Sequence, residues 1–135
     1  MNRTLLNALL LLLLPALLLS TSSFKPKDDP AMIKFDKLIH DFGKMKPGET
    51  MTCEFVFTNT GDLPLKLINV KTGVEFMKAE WSKDPVKKGE KASVSVTFTA
   101  PARNGQFTKT ILIDSNSSGS SSQLRLTVKA LIGAE

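Results

Sequence analysis

The sequence contains one cysteine (Cys53), one histidine (His40), one tryptophan (Trp81) and no tyrosine. A single cysteine cannot form a disulfide within the chain or a cysteine-based metal site. A lone histidine without a second histidine or a cysteine beside it makes a poor metal site. A serine nucleophile would need His40 as its base, and the Gly-x-Ser-x-Gly motif is absent. We therefore expect no catalytic residue, no metal and no cofactor, and we predict that the protein is not an enzyme.

The charged residues show no pattern of a binding site. The formal net charge is +5, but no basic block resembles a nucleic-acid footprint, so we predict no nucleic-acid partner. Asp28 with Asp29, and Asp36 with Asp41, lack the alternating ligands and the glycine of a calcium loop. We interpret them as solvated charges. The lysine-rich turn at residues 87–91 could attract an anion, although such turns are usually only soluble loops.

Residues 1–23 have the layout of a secretory signal peptide. A short start containing Arg3 precedes an apolar run from Leu5 to Leu19, and small residues follow at positions 20–23. The run is about 15 residues long, whereas a membrane span needs about 20. We predict a periplasmic or secreted protein with no membrane span after cleavage. An uncleaved membrane anchor is the alternative.

Residues 24–32 are assigned to a linker, because the charged, proline-flanked stretch from Lys25 to Pro30 has nothing to bury. Residues 33–135 are assigned to one domain, since the remaining length suits a single hydrophobic core. Eight phenylalanines supply most of its aromatic bulk.

Apolar residues alternate with polar ones through most of this domain, which is typical of β-strands with one buried face. The clearest runs lie at residues 51–58, 92–99 and 124–130, with shorter candidates at 33–36, 65–70, 74–79 and 107–114. Glycine- and proline-containing turns separate them. About seven strands predict an all-β, immunoglobulin-like sandwich, with a closed barrel as the alternative. The similar turns at 46–49 and 87–90 each precede an alternating strand, which hints at an internal repeat of turn plus strand.

Short segments along most of residues 33–131 form a recognisable family pattern. They are Asp41-Phe42-Gly43-Lys44-Met45-Lys46-Pro47-Gly48-Glu49, Phe55-Val56-Phe57-Thr58-Asn59-Thr60-Gly61, Pro64-Leu65, Trp81, Pro85, Gly89-Glu90, Val96-Thr97-Phe98, Gly105 to Ile111 and Ser115-Asn116. In these segments the chain resembles a bacterial family known as a domain of unknown function (DUF1573), which is similar to ASH, Hydin-like and major-sperm-protein-like domains. The resemblance implies an immunoglobulin-like sandwich in exported proteins, with no established activity. Members usually carry a Ser-Cys-Gly-Cys segment after the third strand, but residues 71–77 occupy that place here without a cysteine.

Asp41-Phe42-Gly43 also spells the magnesium-binding triplet of protein kinases, but the other kinase motifs are missing. We expect Phe42 to enter the core and Gly43 to let the chain turn. His40 is expected near a strand edge. Cys53 lies between Met51 and Phe55 on an apolar face, which predicts a buried, inert thiol.

The function most consistent with these observations is a non-catalytic exported module that binds or scaffolds a protein partner. Sheet edges can bind an extended partner segment, and the terminal strands, at 33–36 or 124–130, are the candidates. The alternative is a carbohydrate-binding module that stacks sugars on Trp81. The sequence does not indicate the partner or the oligomeric state.

Overall fold

Eight β-strands form two four-stranded sheets that face each other in the computed structural model, which describes residues 27–133. One sheet has the order β1-β3-β6-β5 and the other β2-β8-β7-β4. The predicted all-β, immunoglobulin-like sandwich is therefore confirmed. The strands are β1 (Ile33–Phe35), β2 (Ile39–Met45), β3 (Thr50–Asn59), β4 (Leu67–Lys71), β5 (Met77–Trp81), β6 (Lys91–Thr99), β7 (Gly105–Ser115) and β8 (Gln123–Ile132).

The predicted signal peptide at residues 1–23 lies outside the described residues, as does the start of the predicted linker. Across residues 27–133 the structure has no helix of sufficient length and apolar character to cross a membrane. A short 3-10 helix, Gly119–Ser122, precedes β8.

The core lies between the sheets and consists of the inward residues of the alternating strands. Burial of each large apolar side chain contributes about 1.5–3 kcal/mol, so these residues account for much of the driving force for folding. In β3, β6 and β8 the buried residues alternate with more exposed ones, as the sequence pattern predicts. The most completely buried large side chains are Phe55, Phe57, Phe98, Met45, Leu65, Ile111, Ile113, Leu126, Ile132, Val94, Val96 and Val128.

Strand β2 is the strand that the sequence pattern did not show. Its buried residues, Phe42 and Met45, are three positions apart rather than two. The cause is a register shift between Asp41 and Lys44, within which Gly43 has a φ of 72°. The shift adds one residue to β2 relative to β8 and breaks the period-two alternation. Gly43 thus lies in a bulge within a strand.

Strand β2 also decides which strands are edges. It pairs in parallel with β8, so β8 lies between β2 and β7. The prediction that residues 124–130 form an edge strand is therefore wrong, because β2 covers the side of β8 that was expected to be open. The prediction for residues 33–36 is confirmed, since β1 lies at the edge of its sheet.

The segment before β1 is attached to the sandwich from Asp29 onward. Ala31 is buried, and the N–H of Met32 donates to Oδ1 of Asn59 over 3.3 Å. The N–H of Ile33 donates to Oγ of Ser117 over 3.1 Å, which ties the segment to the loop between β7 and β8 as well. The end of the stretch assigned to a linker therefore belongs structurally to the domain, because its backbone finds partners that composition does not reveal.

Candidate functional site

Trp81 ends β5 with its ring half-buried against the core. Its indole N–H is enclosed and has no hydrogen-bond partner among the described residues. The Nζ atom of Lys83 lies over the ring, 4.8 Å from its centroid. Sugars stack on open ring faces beside accessible polar groups, but here Lys83 lies over one face of the ring and the indole N–H is enclosed. Its geometry gives no support to the carbohydrate-binding alternative.

His40 and Lys37 together cover one end of the apolar side of β3. Lys37 Nζ lies 2.8 Å from Nδ1 of His40 and 5.8 Å from the centroid of the Phe55 ring. Partial burial and the Lys37 ammonium group lower the pKa of His40, while Asp41 opposes them. A neutral imidazole can accept the hydrogen bond from Lys37, so the pair acts as a polar lid over Phe55.

Cys53 is buried on the inward face of β3. Burial raises the pKa of its thiol to about 11, against a small opposing effect of Lys37. At neutral pH the group is a thiol, and thiols are far weaker nucleophiles than thiolates. The prediction of a buried, inert thiol is consistent with this environment.

The lysine-rich turn at residues 87–91 is held by internal contacts. Lys88 forms a short ion pair with Asp62, and this hydrogen-bonded contact lowers the pKa of Asp62 and raises that of Lys88. Glu90 accepts a hydrogen bond from the N–H of Lys87. Within this turn, Lys88 and Glu90 thus have partners inside the protein.

An open cleft of about 460 Å³ lies where β2 and β8 end. Lys44, Lys46 and the half-exposed Leu131 are among the residues that line it. No serine, cysteine or histidine lines the cleft, and Glu49 is already bound to the N–H of Lys46. Over residues 27–133 no three histidine, cysteine or acidic side chains gather as a possible metal site.

Three of the four sheet edges carry features that hinder the addition of another strand. In β2 the chain bulges at Gly43, whose N–H donates to Oδ1 of Asp41 over 2.8 Å. In β4 the register shifts just before Asn69. In β5 the hydroxyl of Thr72 donates to the C=O of Met77 over 3.2 Å. Bulges and occupied backbone groups of this kind are common means of protecting sheet edges.

Strand β4 is also shorter than its neighbour β7, and within the described residues no strand lies beside residues 105–111 of β7 on the side of β4. The segment before β5 packs against this stretch. The ring centroids of Phe76 and Phe107 are 6.4 Å apart, and Nζ of Lys109 lies 6.0 Å from the centroid of the Phe76 ring.

The fourth edge is largely uncovered. Strand β1 pairs only with Phe57, Thr58 and Asn59 of the ten-residue β3. The chain then makes one further contact, from the N–H of Asp36 to the C=O of Val56 over 3.0 Å, and crosses to the other sheet. Within the described part of the chain, no strand lies beside residues 50–55 on the side of β3 that faces away from β6. We call this stretch of β3 the open edge.

The open edge is regular and is firmly attached on its other side. Strand β6 pairs with every residue of it without a register shift. The hydroxyl groups of Thr50 and Thr99 lie 3.0 Å apart, and those of Thr52 and Thr97 lie 3.2 Å apart. Such cross-strand pairs stabilise a sheet. The open edge is therefore a preformed template for a further strand.

A model of the family "Protein of unknown function (DUF1573)" matches residues 33–130. Comparison with curated protein sequences finds no match. Among solved structures, a protein of unknown function from Porphyromonas gingivalis W83 matches with a TM-score of 0.65 and 20% identity, over 75% of this chain and 46% of that one.

The ASH/PapD-like domain 7 of human CEP192 matches with a TM-score of 0.59 and 18% identity, over 82% of this chain and 94% of that domain. The secreted serine protease VesC from Vibrio cholerae matches with a TM-score of 0.57 and 17% identity, over 75% of this chain and 23% of the protease. The chain thus spans less than half the length of the Porphyromonas and Vibrio proteins. At these identities the similarities show the fold alone.

Proposed function

Because the chain belongs to the DUF1573 family of proteins of unknown function, we propose from its own geometry that it is an exported, non-catalytic binding module. In this proposal the module binds an extended segment of a protein partner by adding it to the β1-β3-β6-β5 sheet. Addition of a strand to a sheet edge is a recurring mode of peptide recognition, in which main-chain hydrogen bonds supply affinity.

The observation that carries the proposal is the mismatch in length between β1 and β3. Strand β1 pairs with three residues of β3, and β3 has ten. Unpaired backbone groups at a straight edge attract another strand, whereas the edges of β2, β4 and β5 each carry a feature that hinders pairing.

Export is part of the same proposal and is supported by the basic start and the apolar run of residues 1–23. Fractionation of cells that express the C-terminally tagged chain should place it in the periplasm or the medium. N-terminal sequencing should find a mature chain that begins near Phe24. Recovery of the full-length chain from the cytosol would contradict export.

The binding site can be tested by site-specific photo-crosslinking in the native envelope. A photoreactive residue at position 52 or 54 should form an adduct with a defined partner. The matched control is position 129, because Lys129 is exposed in the middle of the opposite sheet and is paired with Asp41 of β2 on one side and with Thr108 of β7 on the other. Mass spectrometry identifies the partner, and binding is then repeated with the two purified proteins.

Adducts from positions 52 and 54 but not 129, together with binding of the purified partner, would support the proposal. Equal adduct yields at all three positions, or a purified pair that does not bind, would refute it.

A further inference from the structure

We propose that the partner segment runs antiparallel to β3, in line with β1, and places a lysine or arginine side chain beside Glu54 and an apolar side chain against Met51. This inference rests on the proposed function, because it specifies the chemistry of the segment that the open edge binds.

The antiparallel direction of the partner segment follows from the hydrogen bonds that β1 makes with β3. Lys34 lies opposite Thr58 in an antiparallel pair, and the N–H of Asp36 donates to the C=O of Val56. In an antiparallel ladder, the backbone groups of alternate residues point to the same side. The N–H and C=O groups of Thr52 and Glu54 therefore point to the same side as those of Val56 and Thr58, away from β6.

An antiparallel segment would continue this hydrogen-bonding pattern without a break. Both present neighbours of β3, which are β1 and β6, are antiparallel to it, and antiparallel pairing is slightly more stable per residue than parallel pairing. The partner segment would occupy the path that the chain leaves when it turns from Asp36 toward β2.

The core-facing side of the open edge favours apolar side chains at alternate positions of the partner segment. Met51 and Cys53 point inward on β3, and Met51 remains 37% exposed although Cys53 is buried. The end nearer β1 is closed by Lys37 and His40, which lie over Phe55. The apolar contact available to an added strand is therefore at Met51, away from that lid.

The solvent-facing side of the open edge favours a basic residue in the partner segment. Glu54 is exposed in the middle of the open edge, opposite the neutral Ser95. It takes part in no ion pair within residues 27–133, where the ion pairs are Lys71 with Asp114 and Lys88 with Asp62. Opposite charges across neighbouring strands stabilise their pairing, and like charges oppose it. A basic partner residue beside Glu54 would gain the missing counter-charge, whereas an acidic one would be rejected.

A phage-displayed library of random peptides of about twelve residues, selected on the purified domain, is the probe. We expect enriched peptides with alternating apolar and polar residues and a lysine or arginine at one polar position. The peptides with the greatest enrichment are then synthesised, and their Kd is measured for the parent chain and its variants.

Thr52→Pro removes an N–H that points to the open edge, and proline is tolerated in edge strands at such positions. Thr52→Val is its matched control, since it also loses the hydroxyl contact with Thr97 but keeps the N–H. Ala79→Pro is the corresponding change on β5, where the pairing of Lys78 with Thr97 leaves the N–H of Ala79 on the outer side. Circular dichroism and thermal melting establish that each variant is folded.

The inference is supported if Thr52→Pro weakens binding about tenfold or more, Thr52→Val and Ala79→Pro do not, and Glu54→Lys reverses the preference from basic to acidic peptides. If Ala79→Pro alone abolishes binding, the inference is overturned, but strand addition at a sheet edge stands. If no alternating peptide is enriched, or if both proline variants bind like the parent, the proposed function fails as well. If Thr52→Pro does not fold, a peptide with alternate N-methylated amides replaces it, and undiminished binding of that peptide overturns the inference.

Discussion

Glu49 and Glu90 occupy equivalent positions in two β-turns on opposite ends of the β3–β6 pair. The carboxylate of Glu49 accepts a hydrogen bond from the N–H of Lys46 over 2.9 Å, and that of Glu90 accepts one from the N–H of Lys87 over 3.2 Å. In each turn a glycine has a positive φ, 83° at Gly48 and 76° at Gly89, as a type II turn requires.

Each of the two turns also closes the end of the other strand. The N–H of Gly48 donates to the C=O of Ala100, just after β6, and the N–H of Gly89 donates to the C=O of Asn59, at the end of β3. Both distances are 2.8 Å. The repeated turn-plus-strand unit that the sequence suggested therefore exists, and its two copies bind each other head to tail.

We expect Glu49→Ala and Glu90→Ala each to lower the free energy of unfolding by about 0.5–1.5 kcal/mol, because each removes one hydrogen bond from a turn. Glu49→Gln and Glu90→Gln keep an acceptor oxygen and should lose less. Urea denaturation measures the differences. Alanine variants as stable as the parent would show that the carboxylates do not hold the turns.

Gly61→Ala should detach the segment before β1. A Cβ atom on Gly61 would lie 1.9 Å from the carbonyl oxygen of Pro30 and 2.8 Å from the backbone nitrogen of Met32. The backbone must move, and overpacking of this kind typically costs about 1–3 kcal/mol. Hydrogen exchange at the N–H groups of Met32 and Ile33 should become faster.

The matched control for this change is Gly133→Ala, because a Cβ atom there would meet no atom within 4 Å. Unchanged exchange at Met32 in Gly61→Ala would show that the contact between Gly61 and Pro30 does not hold the segment.

Asn59 should be intolerant of substitution because its buried side chain uses both its donor and its acceptor groups. Nδ2 donates to the C=O of Leu63 over 2.8 Å and to that of Val86 over 2.9 Å. Oδ1 accepts from Met32 and from Gly61. Asn59→Ala leaves these groups unpaired and should cost at least about 2 kcal/mol, measured by chemical denaturation.

Asn59→Asp gives a sharper test of the same arrangement. A carboxylate has nearly the shape of the amide but cannot donate to Leu63 and Val86. We expect it to be about as destabilising as alanine at neutral pH. A fully stable Asn59→Asp protein would contradict the assigned hydrogen bonds.

Cys53 should make the protein less stable at high pH. The folded thiol has a pKa of about 11, whereas 9.0 is its ordinary value. Between these values the folded state keeps a proton that the unfolded state has lost, so the free energy of unfolding falls as pH rises from 9 toward 11. Cys53→Ala should remove this component of the pH dependence.

The same thiol should react with a disulfide reagent at pH 8 only as fast as the protein unfolds. Reaction in the native state at the rate of a free thiol would contradict its burial.

His40 should contribute a pH dependence of the opposite sign. Partial burial and Lys37 lower the pKa of the folded imidazole below 6.5, so the unfolded state binds more protons as pH falls through that value. The free energy of unfolding should therefore decrease on acidification below pH 6.5. The quantity to compare is the difference between the parent chain and His40→Gln, measured by thermal melting from pH 7.5 to 5. A constant difference over that range would contradict the assignment.

The strands could be predicted from the sequence where apolar and polar side chains alternate. The prediction failed where a bulge interrupts this alternation. Residues 51–58, 92–99 and 124–130 correspond to β3, β6 and β8 with only small differences at their ends. The alternation pattern did not predict β2, because the register shift at Gly43 places its buried residues Phe42 and Met45 three positions apart. The inward direction of Phe42 was nevertheless correct.

The candidate site could be predicted only in part from the sequence. The sequence located one edge, at residues 33–36, but the uncovered residues belong to β3, which reads as an ordinary amphipathic strand. The site could not be predicted because it depends on the short length of β1, which ends where Asp36 and Lys37 leave the sheet. The sequence does not define where this strand ends.

The amino-acid sequence alone determined which side chain of most strands faces the core, because that choice depends on local alternation between apolar and polar residues. Only the tertiary structure decided which strands lie at the edges and how much of each edge is covered. Neighbours within a sheet come from distant parts of the chain, and both the parallel pairing of β2 with β8 and the early departure of β1 from β3 depend on how the connections cross between the two sheets.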